Sequence, residues 1–186
     1  MESLKENKLL QLAMPATIEN LLQTAVGFVD ALMVSKIGLI AVTAVGIANT
    51  ILNVYLALFI ALGVGASALI AQKIGGKRQA EATSIANQAV LLTVAISLVL
   101  GMLSLFFGNP LLKVMGASAS VLHEALKFFM VVGGAAIVMG LMTIFGSILR
   151  ATGDTKSPMK VSVVVNLSNI VLDYILIFGL GPIPAL

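Results

Sequence analysis

The sequence contains no cysteine and no tryptophan, and only 10% of its 186 residues are charged. Without cysteine, the chain has neither disulfide bonds nor thiolate metal sites. A soluble domain is typically about a quarter charged. A domain of this size also has too little interior to hide a composition that is 59% hydrophobic. The shortage of charge therefore excludes an ordinary soluble protein.

Long apolar segments take the place of charge. Several run for about 20 residues, the length that crosses a bilayer core, and they lack the alternation of membrane β-strands. The sequence predicts an all-α membrane protein, a polytopic helix bundle forming one transmembrane domain over residues 1–186. The five predicted spans are about 9–35, 44–72, 82–107, 122–149 and 158–180. Within the third loop, "NPLLKVMG" predicts a short interfacial helix.

The few basic residues lie in short loops, where they indicate membrane topology rather than binding to nucleic acid. One side of the predicted membrane carries eight: Lys5, Lys8, Lys73, Lys77, Arg78, Arg150, Lys156 and Lys160. The other side carries Lys36, Lys113 and Lys127. This excess predicts a cytoplasmic N-terminus for a multi-pass protein of the plasma (inner) membrane. The odd number of spans and the abrupt "FGLGPIPAL" ending lead us to expect an incomplete protein.

Three acids interrupt the predicted spans, namely Glu19, Asp30 and Asp173. Acids inside a membrane are costly, so they tend to be functional and to face the bundle interior. At about 100° per residue, Gln23 lies about 40° from Glu19 around the helix, and Asp30 lies about 20° from Glu19. These three residues are therefore predicted to share one face of the first helix. Pro15 is a predicted bend point of that helix.

The fifth span carries a polar stripe. Ser162, Asn166, Asn169 and Asp173 follow one another at steps of four, three and four residues, which places them on one helix face. An amide oxygen one turn before a carboxylate suits a hard cation such as Na⁺, and the carboxylate alone can take a proton. Either H⁺ or Na⁺ is therefore a candidate coupling ion, and no other cofactor is predicted.

Under the predicted topology, Asp30 and Asp173 both lie in the outer half of the bilayer and are expected to meet. Two like charges close together do not both ionise cheaply, which would make the pair a proton-responsive switch. A structural alternative is that neighbouring amides satisfy each acid and the pair holds the bundle in register. For Glu19, a solvated position near the cytoplasmic mouth is the alternative to a functional one.

Small and amide residues in the other spans predict packing rather than ligand binding. The predicted packing positions are Ala44, Ala48, Gly63, Ser67, Ala71, Ala136 and Gly140. Asn49 and Asn53 are predicted to form interhelical hydrogen bonds. No nucleotide-binding loop, nucleophile elbow or zinc-protease motif occurs, so the chain is not expected to be an enzyme.

Four segments resemble one family of transporters. They are "MPATIENLLQTAVGFVDALMVSKIGLIAVTAVGIA", "LGVGASALIAQKIGGKRQAEA", "SILRATGDTKSPM" and "NIVLDYILIFGLG". Their content and order resemble helices one to five of the multidrug and toxic compound extrusion (MATE) transporters. The resemblance implies twelve helices in two lobes, of which this chain would lack the sixth helix and the C-lobe.

The resemblance also implies a function. Family members export cationic or amphipathic small molecules in exchange for H⁺ or Na⁺, and some bacterial members carry an ion site in the N-lobe. That site carries over to Asp30, Asn169 and Asp173, with Gln23 at a further polar position. Asn166 and Glu19 are expected to belong to the network or to contact substrate. Some members have a tyrosine one turn before the first acid, where this sequence has Val26.

Two other functions stay open at this point. A lipid-linked flippase of the wider superfamily would need arginines in its cavity to bind pyrophosphate. The two arginines, Arg78 and Arg150, instead fall in predicted cytoplasmic loops. A non-transporting membrane scaffold would make both Asp30 and Asp173 dispensable.

Overall fold

The computed structural model describes the backbone of residues 2–178 and the side chains of residue 14 and residues 17–177. Six α-helices make up most of this part of the chain: α1 Glu2–Ile37, α2 Leu39–Gly75, α3 Gln79–Val114, α4 Ala119–Gly134, α5 Ala136–Ala151 and α6 Lys156–Phe178. The described residues contain no strand, and the predicted all-α fold class is confirmed.

Four of the five predicted spans fall on single helices, namely α1, α2, α3 and α6. The span predicted at 122–149 falls on two helices, α4 and α5, which are bent by 45° at Ala135. By length and hydropathy, α2, α3 and Lys156–Ile177 could each cross a membrane, and the α4–α5 pair is a fourth candidate if counted as one span. The described part of α1 is not among these candidates.

The chain divides into two compact units. The two-helix unit consists of α1 packed against α6. The four-helix unit consists of α2 to α5, in which α2 packs against the other three helices and α3 packs against α4 and α5. The predicted bend point Pro15 lies within α1, and its side chain is outside the described residues.

The four-helix unit has a core of large side chains that small residues allow to pack closely. Its fully buried large hydrophobic residues are Phe59, Ile70, Leu112, Phe129 and Ile144. The predicted packing role is confirmed for the buried Ala44, Ala48, Gly63, Ala136 and Gly140. Ser67 is half-buried, and Ala71 is exposed, so the packing prediction is wrong at Ala71. Close backbone approach is how helices associate in lipid, where the hydrophobic effect supplies no force between them.

Glycines set how closely α3 approaches the bend. A Cβ atom added at Gly133 would collide with Ser104, and one added at Gly140 would collide with Ser97. Gly133 and Gly134 also precede the break at Ala135, and glycine pairs are a common cause of helix kinks. The sequence "GGAA" therefore both bends the fourth span and seats it on α3.

The predicted interfacial helix at "NPLLKVMG" is wrong. Residues 109–114 continue α3 to Val114, with Pro110 inside the helix. Proline removes one helical hydrogen bond and disfavours this conformation. Leu112 is nevertheless completely buried in the core of the four-helix unit, so tertiary packing holds this turn in the helix.

The core hydrogen bonds of the four-helix unit centre on Tyr55. Its hydroxyl lies 3.1 Å from Oγ of Ser104 and donates to the carbonyl of Leu100 at 3.3 Å. The asparagine prediction is wrong: Asn49 and Asn53 are exposed, and no hydrogen bond joins either one to another described residue. Tyrosine and serine, rather than asparagine, therefore link α2 to α3.

Candidate functional site

The candidate site lies in the two-helix unit, where α1 carries the first acid. Asp30 lies about two turns before the end of α1, and Gly38 follows that end with a φ of +136°. Asp30 is half-buried, and its Oδ1 atom is fully buried. Val26, one turn earlier, is also buried, so this stretch of α1 faces its neighbour rather than the surroundings.

The second acid lies on α6, within the predicted polar stripe. Ser162, Asn166, Asn169 and Asp173 are all half-buried, whereas Val161, Val165, Leu167, Leu172 and Tyr174 are exposed. The amide of Asn166 donates to Oγ of Ser162 at 3.2 Å, which links two members of the stripe. The stripe therefore lies on the more protected face of α6, as its helical spacing predicts.

The structure brings the two acids together. The carboxyl groups of Asp30 and Asp173 lie close enough to interact, and the buried Oδ1 of Asp30 has no hydrogen-bond partner among the described residues. Ionised carboxylates carry only acceptor atoms, so a hydrogen bond between these two requires a proton on one of them. The two carboxyl groups can therefore bind a proton, or a cation between their oxygens.

Three other predicted residues surround the pair to different extents. Asn169, one turn before Asp173, is half-buried on the same face of α6. Glu19 is half-buried on α1, about three turns from Asp30. Gln23, however, is exposed, so α1 does not bury all three predicted residues on one face. Their part in ion coupling stays a prediction.

A metal centre of the usual amino-acid ligands is not found in the part of the chain described here. No group of three or more His, Cys, Asp or Glu side chains comes together there. The oxygens that do come together belong to the carboxyl groups of Asp30 and Asp173. Carboxylate oxygens are ligands that hard cations prefer.

One residue that positions the site was missed by the sequence analysis. Asp154 accepts hydrogen bonds from the backbone N–H groups of Lys156 at 3.2 Å and Ser157 at 3.0 Å, at the beginning of α6. Hydrogen bonds from Ser157, then from Lys156, together with the nearby charge of Lys160, lower the pKa of Asp154 below its ordinary 3.8. An acid just before a helix whose first turn contains proline was the available signal.

Comparison with known proteins identifies the family of this chain. The MatE family model matches residues 15–175. "Uncharacterized transporter YisQ" of Bacillus subtilis (strain 168) is 34% identical over 98% of this chain and 40% of its own length. "FAD transporter" of Shewanella oneidensis is 31% identical over 96% of this chain and 39% of its own length.

A solved structure agrees in fold as well as in sequence. It is described as the outward-facing conformation of a multidrug resistance MATE family transporter of the MOP superfamily, with a TM-score of 0.88 and 28% identity. It matches 94% of this chain and 39% of its own length. The chain thus spans about 40% of the relatives that it matches. With most of its length matched by the family model and by relatives above 30% identity, the chain belongs to the MatE (MATE) family of transporters.

Proposed function

We propose that this chain is the ion-coupling part of a secondary active antiporter that exports small molecules in exchange for H⁺ or Na⁺. The observation that carries this proposal is that α1 and α6 bring the carboxyl groups of Asp30 and Asp173 close together. Intramembrane acids are expensive to retain and commonly mark ion pathways. Family membership makes the protein a transporter, and the acid pair supplies a place where the coupling ion binds.

In the proposed cycle, the pair alternates between an ion-bound state and an ion-free state. With the coupling ion bound, the charges of Asp30 and Asp173 are offset, and α1 and α6 can pack closely. When the ion leaves, the two carboxylates repel each other, which favours a different arrangement of the helices. Asn169 contributes an amide oxygen to the ion, and Ser162 and Asn166 extend the polar face. This switch biases the inward-open and outward-open states of alternating access.

The whole transporter contains more than this chain in the proposal. We propose that a sixth helix and a C-lobe complete the two-lobed fold, and that the protein lies in the plasma (inner) membrane with a cytoplasmic N-terminus. The names of the relatives include an FAD transporter and a multidrug resistance transporter. Amphipathic or cationic drugs are the proposed cargo, and a dinucleotide such as FAD is the second candidate because a relative of that name is 31% identical.

Two other functions fit the structure less well. A flippase for lipid-linked pyrophosphate needs arginine in its central cavity, and the described residues of the two-helix unit contain none. A non-transporting scaffold needs no intramembrane acid pair, so it would not explain why two acids that are costly in a membrane occur at Asp30 and Asp173.

Replacing Asp30 with asparagine in the complete transporter tests the proposal. The amide keeps the volume and polarity of the side chain but cannot titrate or carry charge. Purified protein would be placed in liposomes, and efflux of a fluorescent cation would be followed under an imposed pH gradient or Na⁺ gradient. We expect Asp30→Asn to abolish gradient-driven export while the protein still inserts.

Glu124→Gln is the matched control, because it makes the same change from acid to amide at an exposed residue of α4, outside the candidate site. It should leave export unchanged. Undiminished export by Asp30→Asn would overturn the proposed coupling site. The gradient that drives export in the unmodified transporter distinguishes H⁺ from Na⁺.

A further inference from the structure

A groove in the four-helix unit has no part in the proposed ion coupling. It lies between α2 and α5 and has a volume of about 260 Å³. Its walls are Ile60, Val64 and Ser67 from α2, and Thr143, Ser147 and Arg150 from α5. Drug-sized ligands usually occupy pockets of about 300 to 1,000 Å³, so this groove suits a smaller group.

The residues that line the groove have the same spacing along α2 and α5. The lining residues of α2 follow steps of four and three, and those of α5 follow the same steps, so each set forms one helix face. Gly63 lies directly against Ser147, which brings the helices together beneath the groove. The two faces therefore run side by side.

The charged part of the groove is formed by Arg150. The sequence analysis placed this residue in a loop, but it lies in the last turn of α5. Its guanidinium folds back along the helix over Gly146, where an added Cβ would lie 3.2 Å from Nη2. A guanidinium has five N–H donors in a planar fork that matches phosphate oxygens.

The polar wall next to Arg150 consists of hydroxyl groups with acceptor capacity. Ser67 donates to the carbonyl of Val64 at 2.9 Å, Thr143 to that of Met139 at 2.8 Å, and Ser147 to that of Thr143 at 2.9 Å. Each hydroxyl proton is thus used within its own helix, and each oxygen keeps lone pairs that can accept. The groove therefore combines donors for an anion with acceptors for hydroxyl groups.

The remaining wall is apolar and open. The side chain of Ile60 is 49% exposed and that of Val64 is 62% exposed. We propose that this groove binds the headgroup of an anionic glycerophospholipid of the phosphatidylglycerol type. The phosphate contacts Arg150, the glycerol hydroxyls donate to Ser67 and Ser147, and the start of an acyl chain lies along Ile60 and Val64. Basic pockets between membrane helices favour anionic headgroups for the same electrostatic reason. This proposal does not depend on the one for transport.

Lipid retention by the full-length chain tests the site. The protein would be purified in a mild detergent, mixed with equal amounts of phosphatidylglycerol and phosphatidylcholine, and weighed by native mass spectrometry. Arg150→Gln removes the charge, and Val64→Trp fills the groove while leaving the charge in place. We expect Arg150→Gln to lower phosphatidylglycerol retention about tenfold, as the loss of one charge-assisted hydrogen bond would. Val64→Trp should also lower retention, because the headgroup does not fit the filled groove.

Each variant has a matched control. Arg78→Gln removes an arginine next to the exposed Glu81, 3.7 Å away, and Val54→Trp enlarges a comparably exposed residue of α2 outside the groove. Both controls should retain phosphatidylglycerol as the unmodified chain does. Equal losses from Arg150→Gln and Arg78→Gln would reveal general attraction to charge and overturn the proposal.

Two further outcomes would also overturn it: full retention by Val64→Trp, or equal retention of the two lipids by the unmodified chain. Circular dichroism of each variant establishes that it is folded. If Arg150→Gln does not fold, Arg150→Lys and Val64→Trp carry the test. The lysine variant keeps the charge but loses the planar fork, so intermediate retention supports the proposal and unchanged retention contradicts a bidentate contact.

Discussion

The two units of the chain differ in the burial and hydrogen bonding of their polar side chains. The four-helix unit buries Tyr55 and Ser104 and joins them by a hydrogen bond. The two-helix unit leaves a whole stripe of α6 half-buried and brings two acids together without a described basic partner. Val26 is the single buried hydrophobic residue of α1 among the side chains described. Regions with few buried apolar contacts open more easily, so we expect the four-helix unit to be the more rigid one and the proposed switching to occur in the two-helix unit.

The largest effect that sharpens this comparison is expected at Asp173. Asp173→Asn in the complete transporter should abolish coupled export as fully as Asp30→Asn, because each removes one half of the same proposed ion site. The double variant should be no worse than either single variant, since residues that act as one unit are not additive. Efflux from liposomes measures all three.

The thermal midpoint of the same variants completes that test. Removing either acid should leave it unchanged or raise it, since the variants relieve repulsion between two carboxyl groups. Partial losses of export that add together would show that the two acids act independently. A sharp fall in the midpoint would instead favour the structural role, in which the pair holds the helices in register.

The next effect concerns stability and belongs to the four-helix unit. Phe129 is completely buried, and its ring centroid lies 6.2 Å from that of Tyr55. Phe129→Ala should lower the free energy of unfolding by about 3 kcal/mol, mainly through the cavity that it leaves. Unfolding in detergent, followed by circular dichroism, measures this change.

Phe28 of α1 provides the matched control, because its side chain is 67% exposed. Phe28→Ala should change the free energy by no more than about 0.5 kcal/mol. Equal losses from the two variants would break the comparison between a packed unit and a switching unit.

A smaller effect is expected at two buried serines of α3, with opposite signs. Ser104 contacts Tyr55, whereas Oγ of Ser97 is buried with no hydrogen-bond partner among the described residues. Ser104→Ala should therefore destabilise the protein by about 1 kcal/mol, because it leaves Tyr55 with one partner fewer. Ser97→Ala should stabilise it by up to about 1 kcal/mol, since it removes an unsatisfied hydroxyl. Unfolding midpoints of the two alanine variants decide this, and a loss of stability from Ser97→Ala would contradict it.

Much of the fold could be predicted from hydrophobic length alone. Apolar runs of bilayer length locate α2, α3 and α6 because each run ends at glycine, proline or charge. The break at Ala135 could not be read in this way, since the bend depends on how Gly133 and Gly140 meet serines of α3. Pro110 misled the prediction for a related reason: burial of Leu112 outweighs the local preference of proline to end a helix.

The candidate site was partly predictable because helical period places side chains on faces. The spacing from Asn166 to Asp173 was enough to identify the protected face of α6, and the cost of an acid in lipid was enough to expect Asp30 to find a partner. Gln23 is exposed in the two-helix unit, and its part in the site stays a prediction. An amide carries no charge, so its exposure costs little, and its position is less strongly determined.

The smallest effect concerns the beginning of α6, which holds one half of the acid pair. Asp154 accepts from two backbone N–H groups there, and its pKa is lowered by these hydrogen bonds from Ser157 and Lys156 and by the charge of Lys160. Because the pKa is lowered, ionised Asp154 stabilises the folded state above pH 3.8. This contribution is lost as the pH falls through the lower pKa that Asp154 has in the folded state. Asp154→Asn should therefore be slightly less stable than the unmodified chain at neutral pH, and equal to it once the pH lies well below 3.8. Exchange of the first amides of α6 with solvent, followed by mass spectrometry at each pH, measures the difference.

Glu124→Gln provides the control, because Glu124 is an exposed acid of α4 that pairs with Lys127. This variant should leave α6 unchanged. A difference between the unmodified chain and the Asp154→Asn variant that persisted in strong acid would show that shape, rather than charge, makes this cap, and α6 would then present Asp173 without electrostatic help from its own N-terminus.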